Sequence, residues 1–176
     1  MEGSGLTPPD EEALVSDITL AKEMGFNGAR KHQKIEDERY FYYADLLGFT
    51  VWCELPSNHW FSDACSEEIA REWFSIVRAN YNHPSLVTWV IFNESWGVRN
   101  ISKNSQQRDL ANGLYYLTKS IDNMRPVISN DGWEHAKSDI LTLHDYEQDG
   151  SKLYKRYETM CKITEGSSEN DQPMPF

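Results

Sequence analysis

The chain has 176 residues with a globular composition: 39% are hydrophobic, 26% charged and 12% aromatic, including six tryptophans and nine tyrosines. Its length supports one domain with a substantial buried core. The formal net charge is −11, from 17 basic and 28 acidic side chains. No basic cluster appears, which argues against nucleic acid or an anionic membrane as a partner.

The cysteines and the N-terminus bear on the compartment. Cys53, Cys65 and Cys161 are odd in number and lack CxxC spacing, so neither a disulfide framework nor a zinc site is predicted. Free thiols favour a reducing, cytoplasmic compartment. Residues 1–10 carry no apolar signal core, and no apolar run reaches the length of a membrane span. We expect no metal and no cofactor.

Helices and strands alternate along the first half of the chain. Apolar residues at helical spacing predict a first helix that ends at Gly25, and Asp37 caps a second helix that ends at Gly48. A strand is predicted after each helix, at residues 26–30 and 49–54.

The same alternation continues through the second half. Ser66 is predicted to cap the third helix, and the apolar run at 86–92 is typical of a strand buried on both faces. The remaining predicted elements are a fourth helix around 110–121, strands at 126–130 and 140–146, and a last helix from Ser151.

Strands separated by helices indicate a parallel α/β fold, either a doubly wound open sheet or a (β/α)8 barrel. An open nucleotide-binding sheet would carry a glycine-rich turn after its first strand, and none is present. Polar side chains instead follow strand after strand, as at the catalytic face of a barrel. They are Arg30, His32, Glu54, Asn93, Glu94, Asn130, Asp131, His144 and Tyr146.

A complete barrel has eight strands in about 250 residues. We therefore predict a partial (β/α)8 TIM barrel with about five to six of the eight parallel strands. Residues 1–176 would form one domain, the central portion of a barrel that lacks its first strand and its last strands. Residues 163–176 would be a polar tail.

Glu94 is the strongest candidate for chemistry because it follows the buried apolar strand. Burial favours the neutral form of a carboxyl group and raises its pKa, as a general acid requires. Asn93 can offer an amide to a substrate hydroxyl, and Trp96 can supply an apolar wall. The alternative is a structural glutamate that pairs with Arg30 or with a lysine.

Four segments in order resemble glycoside hydrolase family 2, which includes β-galactosidases, β-glucuronidases and β-mannosidases. They are GFNGARKH at 25–32, DLLGFTVWCELP at 45–56, NHPS at 82–85 leading through an apolar strand to FNESWG at 92–97, and RPV at 125–127. The resemblance extends from about residue 10 to residue 146.

This resemblance implies a retaining hydrolase of β-linked sugars with Glu94 as acid/base and Asn93 as partner of the sugar 2-hydroxyl. The nucleophile would be a second glutamate, about 5–5.5 Å away, on a strand outside this chain. Tyr146 would hydrogen-bond that nucleophile. Glu165 follows no apolar strand and is interpreted as a helix-end residue.

The other candidate substrate-binding residues follow strands or lie in the next loop: Arg30, His32, Asp131, Trp133 and His144. Glu54 is expected to hold Arg30. Two alternatives stay open. One is a catalytically incomplete, carbohydrate-binding barrel fragment. The other is a metal-dependent hydrolase using His32, His144 and Asp145, which lacks the usual paired-histidine spacing. The chain alone is expected to be inactive.

Overall fold

The structure, a computed structural model, describes residues 8–166, with side chains described up to residue 158. The chain divides into two compact units, Met1–Thr142 and Leu143–Phe176. The polar tail predicted at 163–176 starts inside a helix, and its residues 167–176 lie outside the described part. None of the described helices is long and apolar enough to span a membrane.

The first unit is one parallel sheet with its connecting helices. The strands are β1 (Gly28–Lys31), β2 (Thr50–Glu54), β3 (Leu86–Asn93) and β4 (Val127–Asp131), hydrogen-bonded in the order β1-β2-β3-β4. The helices are α1 (Glu11–Glu23), α2 (Glu38–Leu47), α3 (Asp63–Asn80) and α4 (Ser105–Ile121). The second unit contains α5 (Gly150–Gly166). The predicted parallel α/β fold is confirmed.

The helix ends follow local side-chain chemistry. Asp37 caps α2 by accepting from the Arg39 N–H at 3.0 Å, and Gly48 closes it in the left-handed conformation at φ +63°. The cap predicted for α3 is wrong. Ser62 begins this helix by accepting from the Cys65 N–H at 3.2 Å, and the Ser66 hydroxyl donates to the Ser62 carbonyl. Two serines one helical turn apart give similar sequence signals.

The core lies between the sheet and its helices, and β3 is buried as predicted, with only Val87 partly exposed. Trp73 and Trp89 pack edge to face with centroids 5.6 Å apart. Their indole N–H groups donate to Thr118 Oγ1 at 2.7 Å and Asp122 Oδ2 at 2.9 Å. Burial alone would raise the pKa of Asp122, but hydrogen bonds from Trp89 and Arg125 outweigh it and lower that pKa.

The strand predicted at 140–146 is wrong, because no strand follows β4 within residues 8–166. A β-strand needs a neighbouring strand whose backbone it can hydrogen-bond, whereas Thr142 forms its hydrogen bonds with the loop that follows β4. Its carbonyl oxygen lies 2.8 Å from His135 Nε2, and its hydroxyl oxygen accepts from the Gly132 N–H at 3.0 Å. The described sheet therefore has four strands rather than the five to six predicted.

The described cysteines are free and differ in exposure, which leads to a labelling prediction. Burial, reinforced by the negative charge of Glu54, raises the pKa of the Cys53 thiol to about 12, whereas Cys65 is partly exposed on α3. We expect Cys53 to react with iodoacetamide at pH 8 about a hundredfold or more slowly than Cys65 until the protein unfolds, because the thiolate is the reactive form. Peptide mass spectrometry measures both rates. Equal rates in the native protein would contradict the buried position of β2.

Candidate active site

The carboxyl ends of the four strands meet at one edge of the sheet because the strands are parallel. Arg30 on β1, Glu54 on β2, Asn93 on β3 and Asp131 on β4 all lie at or near these ends. The register pairs Asn93 directly with Asp131 across β3 and β4. The sequence prediction that these side chains share one edge is confirmed.

Arg30 connects the ends of all four strands. Its Nε donates to Glu54 Oε2 at 2.5 Å and lies 2.9 Å from Asp131 Oδ2. Its Nη2 donates to Asn93 Oδ1 at 2.6 Å and lies 3.1 Å from His32 Nδ1. The predicted contact between Glu54 and Arg30 is confirmed.

This ion-pair cluster sets one guanidinium against two buried carboxylates. The Glu54 side chain is 0% exposed and that of Asp131 is 3% exposed, whereas that of Arg30 is 26% exposed. The second oxygen of Glu54 accepts from the Gln33 N–H at 2.9 Å and lies 3.1 Å from His32 Nδ1. Buried carboxylates need such partners, so Arg30 holds the edge of the sheet together.

Glu94 follows β3 directly and is half-buried at the same edge. Its N–H donates to the Asp131 carbonyl at 2.8 Å, which ties its backbone to β4. Glu94 and Ser95 both adopt left-handed backbone conformations, with φ +50° and +60°. Such conformations cost about 1–2 kcal/mol for each non-glycine residue and cluster at functional sites.

Ser95 is buried and is held by the loop that follows β4. Its N–H donates to Asn130 Oδ1 at 2.9 Å, and its hydroxyl donates to Glu134 Oε2 at 2.8 Å. The other Glu134 oxygen accepts from Ser102 Oγ at 3.0 Å. This network, which we call the Ser95 clamp (Ser95, Asn130, Glu134 and Ser102), fixes the residue after Glu94 and so the direction of the Glu94 backbone.

Trp96 and its neighbours connect this turn to the loop after β2. The His59 ring packs edge-on against Trp96, with centroids 5.2 Å apart, and the Arg99 guanidinium carbon lies 4.5 Å from the Trp96 centroid. Gly97 has φ +79°, and a Cβ atom there would lie 2.7 Å from the Asn58 carbonyl oxygen. Only glycine allows the two loops to approach this closely.

Gly97→Ala is therefore expected to lower the free energy of unfolding by about 1–3 kcal/mol, through backbone strain and the contact with Asn58. Gly113→Ala is the matched control. Gly113 lies within α4, and a Cβ there meets nothing within 4 Å, so this change is expected to stabilise by about 0.5–1 kcal/mol. Urea unfolding measures both variants. A Gly97→Ala protein as stable as the wild type would contradict the close approach of the loops.

The chain matches, over residues 3–175, the family model described as Glycosyl hydrolases family 2, TIM barrel domain. The chain belongs to this family. It is 28% identical over 136 residues to a β-glucuronidase of Bacteroides fragilis, covering 72% of this chain and 18% of that protein. It is 32% identical over 130 residues to a β-galactosidase of Lactococcus lactis, covering 66% of this chain and 12% of that protein.

The fold agrees with that of the family. A Parabacteroides merdae β-glucuronidase, solved with glycerol in its active site, superposes with a TM-score of 0.75 over 88% of this chain and 21% of that chain, at 20% identity. Together with the family match, this similarity confirms the predicted TIM-barrel fold. The chain spans less than a fifth of the length of the two relatives it matches in sequence.

The remaining predicted site residues of the family 2 domain fall in two places. Trp133 lies in the loop after β4 with its side chain 36% exposed, and its carbonyl accepts from Asn130 Nδ2. His144 and Tyr146 belong to the second compact unit, where His144 is half-buried and Tyr146 is exposed. The substrate contacts of these three residues stay predictions.

Two further expectations concern Glu165 and metal ligands. Glu165 lies within α5, in agreement with its interpretation as a helix residue. Asp145 of the second unit forms an ion pair with Arg156. The pKa of the Asp145 carboxyl group is lowered mainly by the hydrogen bond from the Glu147 N–H and next by the hydrogen bond from Arg156. Among the described residues, no group of three or more His, Cys, Asp or Glu side chains is arranged to hold a metal ion.

The sequence patterns did not predict the Ser95 clamp or the contact of Arg99 with Trp96. Ser95 is part of the FNESWG segment, in which the predicted site residues are its neighbours Glu94 and Trp96. Glu134 lies in the loop after β4, next to the predicted substrate-binding residue Trp133. The position of Ser95 between two predicted site residues marks it in the sequence, but its partners Asn130 and Glu134 lie 35 and 39 residues away and carry no such signal.

Proposed function

We propose that this family 2 domain is part of a retaining β-glycosidase in which Glu94 is the general acid/base. The observation that supports this proposal most is the position of Glu94. It stands half-buried at the carboxyl edge of the parallel sheet, directly after Asn93, in a left-handed conformation fixed by the Ser95 clamp. Barrel enzymes assemble their active sites at this edge.

In the first step Glu94 donates its proton to the glycosidic oxygen while a carboxylate attacks the anomeric carbon, and the bond to the leaving group breaks. In the second step Glu94 removes a proton from water, whose oxygen displaces the carboxylate and releases the sugar. We propose that the attacking carboxylate comes from outside these 176 residues. The strand to which the family resemblance assigns it is not among the four of the sheet.

The contacts of Asn93 support a role in binding the sugar. Arg30 donates to its Oδ1 atom at 2.6 Å, which fixes the amide and leaves the Asn93 NH2 group to donate to a substrate hydroxyl. Because Glu94 is the next residue, a hydroxyl bound here would lie close to the bond that is cleaved. This geometry agrees with the proposed partnership between Asn93 and the sugar 2-hydroxyl.

The test is hydrolysis of 4-nitrophenyl β-glucuronide, β-galactoside and β-mannoside by the protein at its full natural length. The expected result is turnover of at least one of them with release of the β-anomer first, observed by proton NMR before mutarotation. The 176-residue chain expressed alone is the negative control. Turnover with initial release of the α-anomer would contradict the retaining mechanism. If none of the three β-glycosides were hydrolysed, the result would favour the alternative of a catalytically incomplete, carbohydrate-binding barrel fragment.

A further inference from the structure

We propose that Trp60, Trp96 and Arg99 form a platform for the leaving group of the substrate, and that this platform favours a flat leaving group carrying a negative charge. The inference rests on the proposed function, because it assigns a ligand to the outer side of the same site. It adds Trp60 and Arg99, which neither the sequence prediction nor the comparisons assign, to Trp96, which the sequence predicts to contact substrate. We call these three residues the aglycone platform.

The platform is a cation flanked by two indole rings. The Arg99 guanidinium carbon lies 4.5 Å from the Trp96 centroid and 5.8 Å from the Trp60 centroid. Both distances are within the range of a cation–π interaction, which orients the guanidinium plane. The edge-on contact of His59 with Trp96 supports this ring from the side of the β2–α3 loop.

Trp60 is the most unusual member because its side chain is 75% exposed. A single exposed apolar residue is ordinary, but an exposed indole and a second indole that both contact one arginine form a mixed aromatic and cationic surface. An aromatic ring or the apolar face of a sugar stacks on such a surface. The exposure of Trp60 therefore indicates which ring of the platform a ligand would meet first.

The backbone under the platform is held by packing and by a hydrogen bond. Gly97 packs against the Asn58 carbonyl, and Val98 and Ile101 are fully or almost fully buried on either side of Arg99. The Asn100 N–H donates to Gln107 Oε1 at 2.7 Å, which anchors the loop to α4. A preorganised loop loses little conformational entropy when a ligand binds.

The position along the chain assigns the platform to the leaving group. Trp96 is two residues beyond Glu94, and its N–H donates to the Asn93 carbonyl at 2.9 Å, which holds it beside the end of β3. Arg30 and Asn93, at the strand ends, are proposed to face the sugar. A general acid delivers its proton to the oxygen between sugar and leaving group. We therefore assign the platform beside Glu94 to the leaving group and the strand-end residues to the sugar.

The charge of Arg99 gives the platform its selectivity. Within residues 8–158, no carboxylate forms an ion pair with Arg99, although the chain carries a net charge of −11. Arg99 is exposed, and the contacts of its guanidinium with described side chains are those with the Trp96 and Trp60 rings. A carboxylate on the leaving group would supply the missing anion and form a charge-assisted hydrogen bond while its ring stacks on Trp60.

The experiment uses the full-length protein and two substrates with the same sugar, 4-nitrophenyl and 3-carboxy-4-nitrophenyl β-glycosides. The measured quantity is kcat/KM for the anionic substrate divided by kcat/KM for the neutral one. Arg99→Met is expected to lower this ratio about tenfold. Trp60→Ala is expected to lower kcat/KM severalfold for the anionic and for the neutral substrate. Arg71→Met, which removes an exposed arginine from α3, is the matched control and should leave the ratio unchanged.

An unchanged ratio in Arg99→Met would overturn the proposal. The proposal would also be overturned if the loss of kcat/KM in Arg99→Met depended on the charge of the sugar. In that case kcat/KM would fall equally for both leaving groups of a glucuronide and would not fall for a galactoside. A binding measurement separates this failure from failure of the proposed function. By calorimetry, 2-naphthoate is expected to bind more tightly than 2-naphthylmethanol, and Arg99→Met should remove the difference. Arg99-dependent binding without any hydrolysis would support the platform and contradict the glycosidase proposal.

Discussion

Replacement of Glu94 by glutamine is expected to lower kcat/KM for β-glycosides with poor leaving groups by about 10²–10⁴-fold, the usual contribution of general acid catalysis. Glutamine has the shape of the glutamate side chain but cannot transfer a proton. The loss should be much smaller for a 2,4-dinitrophenyl glycoside, because that leaving group departs without protonation. The measurement is steady-state kinetics of the full-length protein across aryl glycosides of increasing leaving-group pKa.

The control for Glu94→Gln is Glu67→Gln, which removes an exposed carboxylate from α3. It should leave kcat/KM within twofold of the wild-type value for every substrate. The two variants should have the same circular dichroism spectrum as the wild type, so that a loss of rate is not a loss of fold. An equal loss for good and poor leaving groups would exclude Glu94 as the proton donor.

The second large effect concerns Arg30, whose removal leaves the buried carboxylates of Glu54 and Asp131 without their cation. Arg30→Met is expected to lower the free energy of unfolding by about 3–5 kcal/mol, because a buried charge then loses its partner. Activity should fall as well, since Arg30 orients the Asn93 amide. Urea unfolding followed by tryptophan fluorescence measures the change in stability.

A double variant distinguishes this charge effect from lost packing. Arg30→Met combined with Glu54→Gln removes one buried negative charge at nearly constant volume. It should recover part of the stability lost in Arg30→Met, because the effects of contacting residues are not additive. The contrary result is simple additivity, in which Glu54→Gln lowers the free energy of unfolding by the same amount in Arg30→Met as in the wild type. The ion-pair cluster would then not be the source of the stability lost in Arg30→Met.

Most of the fold could be predicted because each strand and helix has a strong local pattern. The run at 86–92 is apolar on both faces, and Asp37 and Gly48 bound α2 by cap chemistry. The errors arose where the local pattern was ambiguous. Ser62 and Ser66 are equivalent cap signals, and residues 140–146 have strand-like composition without a neighbouring strand. Strand pairing is a tertiary property that a short window cannot contain.

The candidate site was predictable in so far as it depends on parallel strands. Arg30, Glu54, Asn93 and Asp131 share one edge because strand ends coincide. The Ser95 clamp was not predictable, because it depends on left-handed backbone conformations in two loops and on hydrogen bonds between residues 35 and 39 positions apart. The aglycone platform likewise joins two loops through Gly97, whose role appears only when Asn58 is seen beside it.

The most direct test of the account uses Glu94→Ala with azide. An acid/base variant of a retaining enzyme still forms the glycosyl-enzyme from a 2,4-dinitrophenyl glycoside, but water is then a poor nucleophile without its general base. Azide needs no base. We predict that azide restores turnover of the variant and that the product is the β-glycosyl azide. Absence of rescue in a folded variant, or formation of the α-azide, would contradict the assignment of Glu94.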